Sequence, residues 1–218
     1  MTEPLLDVQD LDAGYGPAQI LFGVSLQVFP GEVVALTGPN GAGKSTMMKA
    51  IMQMLPWTRG GVQFAGADIS RLATHEIARR GLGFVPEDRR IFTDLTVTEN
   101  LSVGRQPARD GTAWTPAALY QLFPNLAAMP DRLGGQMSGG EQQMLTIART
   151  LMGNPCLLLL DEPSEGLAPV IVDAIGDAVQ ALKQRGIAIL LSEQNLHFAS
   201  MIADRTITLD RGHVRSGR

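Results

Sequence analysis

Gly38 to Thr46 read GPNGAGKST, which satisfies the spacing G-x-x-x-x-G-K-[ST] of a phosphate-gripping turn. Gly38, Gly41 and Gly43, with Pro39, Asn40 and Ala42 between them, allow a curl that turns backbone N–H groups inward on an anion. Lys44 is then placed to reach the β- and γ-phosphates of a nucleotide, and the Ser45 hydroxyl to ligate Mg²⁺. Thr46 adds a hydroxyl on the α-phosphate side. The motif needs a strand before it and a helix after it. Glu32 to Thr37 reads as a short buried strand, and Ser45 to Leu55 as a helix with Met47, Met48, Ile51, Met52 and Leu55 at helical spacing. A glycine-rich turn carrying Lys-Ser by accident would lack that context.

Two further stretches could do chemistry. Cys156 to Leu160 is an apolar run followed at once by Asp161-Glu162-Pro163, so a buried strand delivers two carboxylates to the carboxyl edge of a sheet. Beside a phosphate loop, Asp161 would hold Mg²⁺ directly or through water, and Glu162 would polarise an attacking water. An exposed acidic turn after a core strand is the plainer alternative. Ser138-Gly139-Gly140-Glu141 opens a helix carrying Met144, Leu145, Ile147, Ala148, Leu151 and Met152, and Ser138 with Glu141 forms a capping box. Capping does not account for the glycines, which cost a helix about 1 kcal/mol each relative to alanine. Close approach of backbone N–H groups to a phosphate would use them.

These residues need a scaffold. Leu5 to Leu11 and Ile20 to Val28 alternate apolar and polar residues, which predicts two antiparallel strands joined through Gly14-Tyr15-Gly16-Pro17. Tyr15 at that tip either packs or offers a face to a flat base. Gly60 to Ala67 reads as a strand and turn, Thr74 as the cap of a helix running to Arg80, and Leu82 to Val85 as a buried strand ending in Pro86-Glu87-Asp88. From Arg89 to Gly135 the composition changes: short helical pieces at Thr96–Val103 and Pro116–Phe123 are broken by Pro107, Pro124 and Pro130. With the Ser138 helix this predicts a helical subdomain inserted over roughly 89–154. A helix from Pro169 to Arg185, a strand from Ile187 to Leu191, a helix from Asn195 to Ala203 and a last strand from Arg205 to Asp210 complete the chain, close to its end at Arg218. Strands at Val33, Leu82, Leu157 and Ile187 separated by helices imply an α/β fold with a mostly parallel sheet and right-handed crossovers. One domain over 1–218 is expected.

Composition narrows the partners. With 18 basic against 22 acidic residues the formal charge is −4, which gives no electrostatic footprint for nucleic acid. No apolar run approaches bilayer-spanning length, and no basic-then-apolar leader opens the sequence, so a non-secreted protein outside the bilayer is expected. The single Cys156 adjoins an apolar run and is expected in the core, reduced. The ten Met residues read as core filling.

GPNGAGKST, MSGGEQQ and LLLLDEP, in that order, resemble the ATP-binding subunits of ABC transporters, and the resemblance spans essentially the whole chain. It implies a P-loop NTPase with an N-terminal antiparallel β subdomain, using ATP and Mg²⁺. In that family the motif here spanning Ser138, Gly139, Gly140 and Glu141 serves the site of the opposite subunit, with ATP sandwiched between two chains set head to tail. The resemblance further implies that Tyr15 stacks on adenine and that 89–135 docks on a transmembrane permease. The chain would then be peripheral on the cytoplasmic face of the membrane and linked indirectly to an external solute-binding protein.

Three positions depart from the general pattern. Glu87 stands where most members carry Gln, Gln194 where most carry His, and Ser164-Glu165-Gly166-Leu167-Ala168-Pro169 lacks the usual Asp. VPEDRRIF, MSGGEQQM, DEPSEGLAP and EQN together resemble the ATPases of branched-chain amino-acid importers, with amides or urea as open alternatives for the solute. Gln194 can hydrogen-bond a γ-phosphate or a water but never becomes cationic. Glu87 can still offer oxygen to Mg²⁺ or its water. His197, three positions beyond Gln194, could in principle stand in for the missing His, against the plainer reading of an ordinary packed or exposed His; His75 and His213 show no partner constellation. Two other classes compete: an ABC-type ATPase uncoupled from transport, which would usually bring coiled-coil insertions or tandem units, and an ATP-controlled association module, against which Glu162 argues. Pairing with an identical or a related ATPase stays open.

Overall fold

A computed structural model describes residues 2–108 and 113–215. Strands β1 (Leu6–Tyr15) and β2 (Ala18–Val28) pair antiparallel from Leu6 opposite Val28 to Tyr15 opposite Ala18. The turn is therefore only Gly16-Pro17, and Tyr15 ends a strand instead of capping a loop as expected. Strand β3 (Val33–Thr37) is buried at every residue and feeds the glycine loop into α1 (Lys44–Ile51). This helix stops short of Leu55. Gln53 takes φ 53° and turns the chain into β4 (Trp57–Phe64), which pairs with β1 and with β5 (Ala67–Asp68). Helix α2 (Thr74–Arg79) is led by Ala73, not Thr74: Ala73 is extended, and its N–H is bound by the Glu76 carboxylate at 2.9 Å. Strand β6 (Leu82–Val85) follows.

Three short helices, α3 (Val97–Val103), α4 (Pro116–Leu122) and α5 (Pro124–Ala127), and then the longer α6 (Gly139–Leu151) make the inserted helical part. Thr96, Thr115 and Ser138 each accept a backbone N–H at the start of a helix, as cap residues do. Residues 109–112 of the expected 89–154 insert lie outside the described residues. The chain returns through β7 (Leu157–Asp161), α7 (Pro169–Gln184), β8 (Ala188–Glu193), α8 (Leu196–Ile202) and β9 (Arg205–Asp210). A strand not expected from the sequence, β10 (His213–Arg215), folds back on β9. Arg211 and Gly212 both have positive φ, 47° and 78°, which is the backbone of a tight two-residue hairpin. His213 thereby gains a partner that the sequence did not show: its ring stacks on Phe22 with centroids 5.0 Å apart.

The larger sheet runs β10-β9-β3-β8-β7-β6, parallel except for β10. Both faces are covered, so its central strands are apolar at successive positions instead of alternating. Val33, Ala35, Leu158, Leu160, Ile189 and Leu191 face α6, α7 and α8. Val34, Leu36, Leu157, Leu159 and Leu190 face α1 and the antiparallel sheet. Each such side chain contributes about 1.5–3 kcal/mol by leaving water. Cys156 is not among them. The strand begins one residue later, so Cys156 is exposed, its thiol 3.7 Å from the Gly81 carbonyl.

Candidate active site

Strand order decides what meets. β8 lies between β3 and β7, and Ser192 near its carboxyl end is level with Leu36 on one side and Asp161 on the other. The glycine loop leaving β3 and the acids leaving β7 therefore converge on one edge of the sheet. Gly38 holds φ 152°, and a Cβ there would lie 2.1 Å from the Leu209 carbonyl oxygen; at Gly43, φ 107°, it would lie 2.9 Å from Leu21. Only glycine permits both the curl and the close packing.

Lys44 is 4% exposed. Its ammonium donates to the Gly38 carbonyl at 2.9 Å and the Pro39 carbonyl at 3.3 Å, and pairs with Glu162 at 3.1 Å. A buried charge needs such partners. The Ser45 hydroxyl donates to Asp161 Oδ1 at 2.9 Å, and the Ser192 hydroxyl donates to the same oxygen at 2.7 Å. Burial pushes the Asp161 carboxyl up, while these two hydroxyls oppose it. Glu162 sits at φ 46°, with its N–H donated to Ser192 Oγ at 3.0 Å. Gln194 Nε2 donates to the Glu162 carboxylate. Burial pushes Glu162 up, yet hydrogen bonds from Glu165, Gln194 and Lys44 outweigh it and hold the group below the usual glutamate range. Glu165 is pushed up to about 7 by that hydrogen bond to Glu162, by burial and by the neighbouring acids. A proton on this pair therefore favours Glu165 over Glu162.

A cavity of about 210 Å³ opens beside these groups, lined by Tyr15, Ile20, Gly41, Gly43, Lys44, Ser45, Thr46 and Glu162. Tyr15, 44% exposed, stands at its mouth. Glu87 does not line it. It lines a neighbouring cavity of about 200 Å³ with Arg89, Gln143, Glu162, Pro163 and Glu165. His197 is exposed. Among the described residues no three His, Cys, Asp or Glu side chains form a metal-holding cluster. The donor set suits Mg²⁺ all the same, because that ion takes one or two protein oxygens and completes its shell with water and substrate phosphates; adjacent Asp161 and Ser45 offer such a pair.

None of Ser138, Gly139, Gly140 and Glu141 lines the Lys44 cavity. Their capping box is formed: Ser138 N–H donates to Glu141 at 2.6 Å, and Glu141 N–H to Ser138 Oγ at 3.4 Å. The two glycines have a reason within the chain that was not foreseen. A Cβ at Gly139 would meet the Arg89 guanidinium at 2.6 Å, and one at Gly140 would meet Ile171 Cγ1 at 2.9 Å. Sequence reasoning also missed Ser192, Ile20, Glu165 and Gln143 as parts of the site; a hydroxyl at the end of a strand was the one available sign of the first.

A family profile described as ABC transporter matches residues 21–165. The chain belongs to the ABC transporter family. As a member it is an ATP-binding, ATP-hydrolysing subunit. This ABC ATPase is 40% identical over 211 residues to the high-affinity branched-chain amino acid transport ATP-binding protein BraG of Pseudomonas aeruginosa, covering 96% of the chain and 91% of BraG. It is 34% identical over 214 residues to the lipopolysaccharide export system ATP-binding protein LptB of Haemophilus influenzae, covering 96% of the chain and 88% of LptB. The dimeric structure of a post-hydrolysis state of an ATP-binding cassette bound to ADP and Pi matches with a TM-score of 0.82 at 25% identity, covering 97% of each chain. Among the described residues of this ABC ATPase, no helix is long and apolar enough to cross a membrane.

Proposed function

We propose that this chain energises an importer of branched-chain amino acids, or of related small polar solutes such as amides or urea, by hydrolysing Mg·ATP. The carrying observation is that Lys44 pairs with Glu162 and Ser45 bonds Asp161 beside one cavity, although Ser45 and Asp161 lie 116 positions apart in the sequence. The backbone from Gly38 to Gly43, through Pro39, Asn40, Gly41 and Ala42, holds the phosphates together with Lys44 and Thr46. Tyr15 takes the adenine. Ser45 and Asp161 would hold Mg²⁺, which would supply positive charge to the phosphates; Glu87, in the neighbouring cavity, would reach the ion only through water.

Without nucleotide, Lys44 is closed on Glu162. An entering γ-phosphate offers Lys44 a stronger partner than two carbonyls, and Glu162 is released to accept the proton of the attacking water. Gln194 keeps hold of the carboxylate and aims it. A neutral amide gives less charge stabilisation to the transferring phosphoryl group than a cation would.

Ser138, Gly139, Gly140 and Glu141 serve the nucleotide of a second ABC ATPase subunit set head to tail, identical or related. The chain binds a transmembrane permease at the cytoplasmic face of the membrane, peripherally, and meets an external solute-binding protein only through it. The acidic balance supports no nucleic-acid partner. The motifs shared with importer ATPases and the similarity to BraG support the solute class. The similarity to LptB supports a second reading, an exporter of an amphiphile. Reconstitution with the copurifying permease tests both: ATP turnover rising with an amino-acid-loaded binding protein supports import, and turnover rising only with a lipid-like substrate overturns it.

A further inference from the structure

The Gln143 side chain is 2% exposed, and both of its amide atoms are buried without a hydrogen-bond partner. A buried donor and a buried acceptor left open each carry the full cost of lost hydration. Gln143 is in the second turn of α6 and lines the cavity of about 200 Å³ that Glu162 also lines. That volume holds several waters. The charge around it favours water over a cation: Glu162 is paired with Lys44, and the Arg89 cation lines the cavity along with Glu87.

We propose that this cavity holds ordered water bound by the Gln143 amide, and that Gln143 is a positioning residue which supplies and orients water for Glu162. The inference rests on the assignment of Glu162 as the hydrolytic base. An amide donates and accepts at once, so one water can satisfy both of its atoms and pass a hydrogen bond onward to the carboxylate. Glu165 lines the cavity as well. Gln143 lies one turn beyond Gly139, whose helix start serves the partner's nucleotide in the proposed dimer, so one helix touches both sites.

Gln143→Met keeps the length of the side chain and removes both polar atoms; Gln143→Glu keeps an acceptor. Full-length protein, wild type and variants, is assayed for Mg·ATP turnover alone and with its permease, and is crystallised without nucleotide. The expected result is an ordered water within hydrogen-bond distance of Gln143 in the wild type. With it, kcat of Gln143→Met falls about tenfold at unchanged KM, and Gln143→Glu recovers part of the loss. A dry cavity, or a Gln143→Met protein that melts higher and hydrolyses ATP at the wild-type rate, overturns the proposal. A Glu162→Gln protein that turns over as fast as the wild type would instead remove the base assignment, while the crystallographic water still decides the occupancy of the cavity.

Discussion

Two helices of this protein begin with glycines, and they are built in opposite ways. At α1 the residue before the helix is Gly43 in the left-handed region; no side chain caps the helix, and its first turn carries no acid. At α6 Ser138 caps the helix, and Glu141 in the first turn closes the box from the other side. The first start leaves its positive end open to an anion, the second has neutralised it. A glycine-rich helix start is therefore not by itself a phosphate site. What separates the two is whether the chain has already satisfied its own N–H groups. A phosphate arriving at α6 has to compete with the Glu141 carboxylate for the helix start itself, whereas at α1 it displaces the contacts of Lys44 with two carbonyls and with Glu162.

The sharpest way to break this contrast is at the base that α1 faces. Glu162→Gln should lower turnover by about 10²–10⁴-fold while nucleotide binding, followed by fluorescent ATP titration, stays within a few fold. Retained turnover would remove the hydrolytic role from the α1 side. At α6 the two glycines should part company. Gly140→Val drives a branched side chain into Ile171 and should cost about 1–3 kcal/mol in denaturant unfolding. Gly139→Ala meets only the movable end of Arg89 and should be close to neutral. Equal losses would show that packing is not what the glycines of α6 serve.

Ser192→Ala removes a donor from Asp161 and an acceptor from the Glu162 N–H, and should cost about 1–3 kcal/mol in stability with a fall in turnover. The smallest expected effect is one of pH. Glu165 titrates near 7 in the fold against 4.5 normally, so the folded chain binds this proton more tightly than the unfolded chain does. Its stabilising contribution is complete below about pH 4.5 and is lost as the pH rises through 7. Glu165→Gln stays uncharged and escapes that loss. Nucleotide-free melting temperatures should show the variant gaining on the wild type between pH 5 and pH 8; parallel curves would deny that Glu165 holds the proton.

The larger elements were legible because their signals are local. Val33–Leu36 and Leu157–Leu160 are apolar throughout, Ser138 and Glu141 form a capping box in four residues, and GPNGAGKST states its chemistry in nine. The errors lie where a neighbour distant in sequence decides. Cys156 adjoins an apolar run but enters the sheet one residue too early to be covered. Tyr15 stays in a strand because β4 pairs with β1 as far as Gly14, opposite Trp57. β10 exists because Arg211 and Gly212 adopt a hairpin backbone that an arginine does not advertise.

Sequence by itself determined the residue types that can grip a phosphate, anchor a cation and move a proton, since those depend on side-chain chemistry and on spacings within one turn. It also carried the α/β class through its runs of apolar residues. Tertiary structure alone decided that β8 lies between the two functional strands, which brings Ser192 under Asp161 and Lys44 within reach of Glu162. Strand order is a long-range choice, made by covering both faces of the sheet at once, and no local pattern records it.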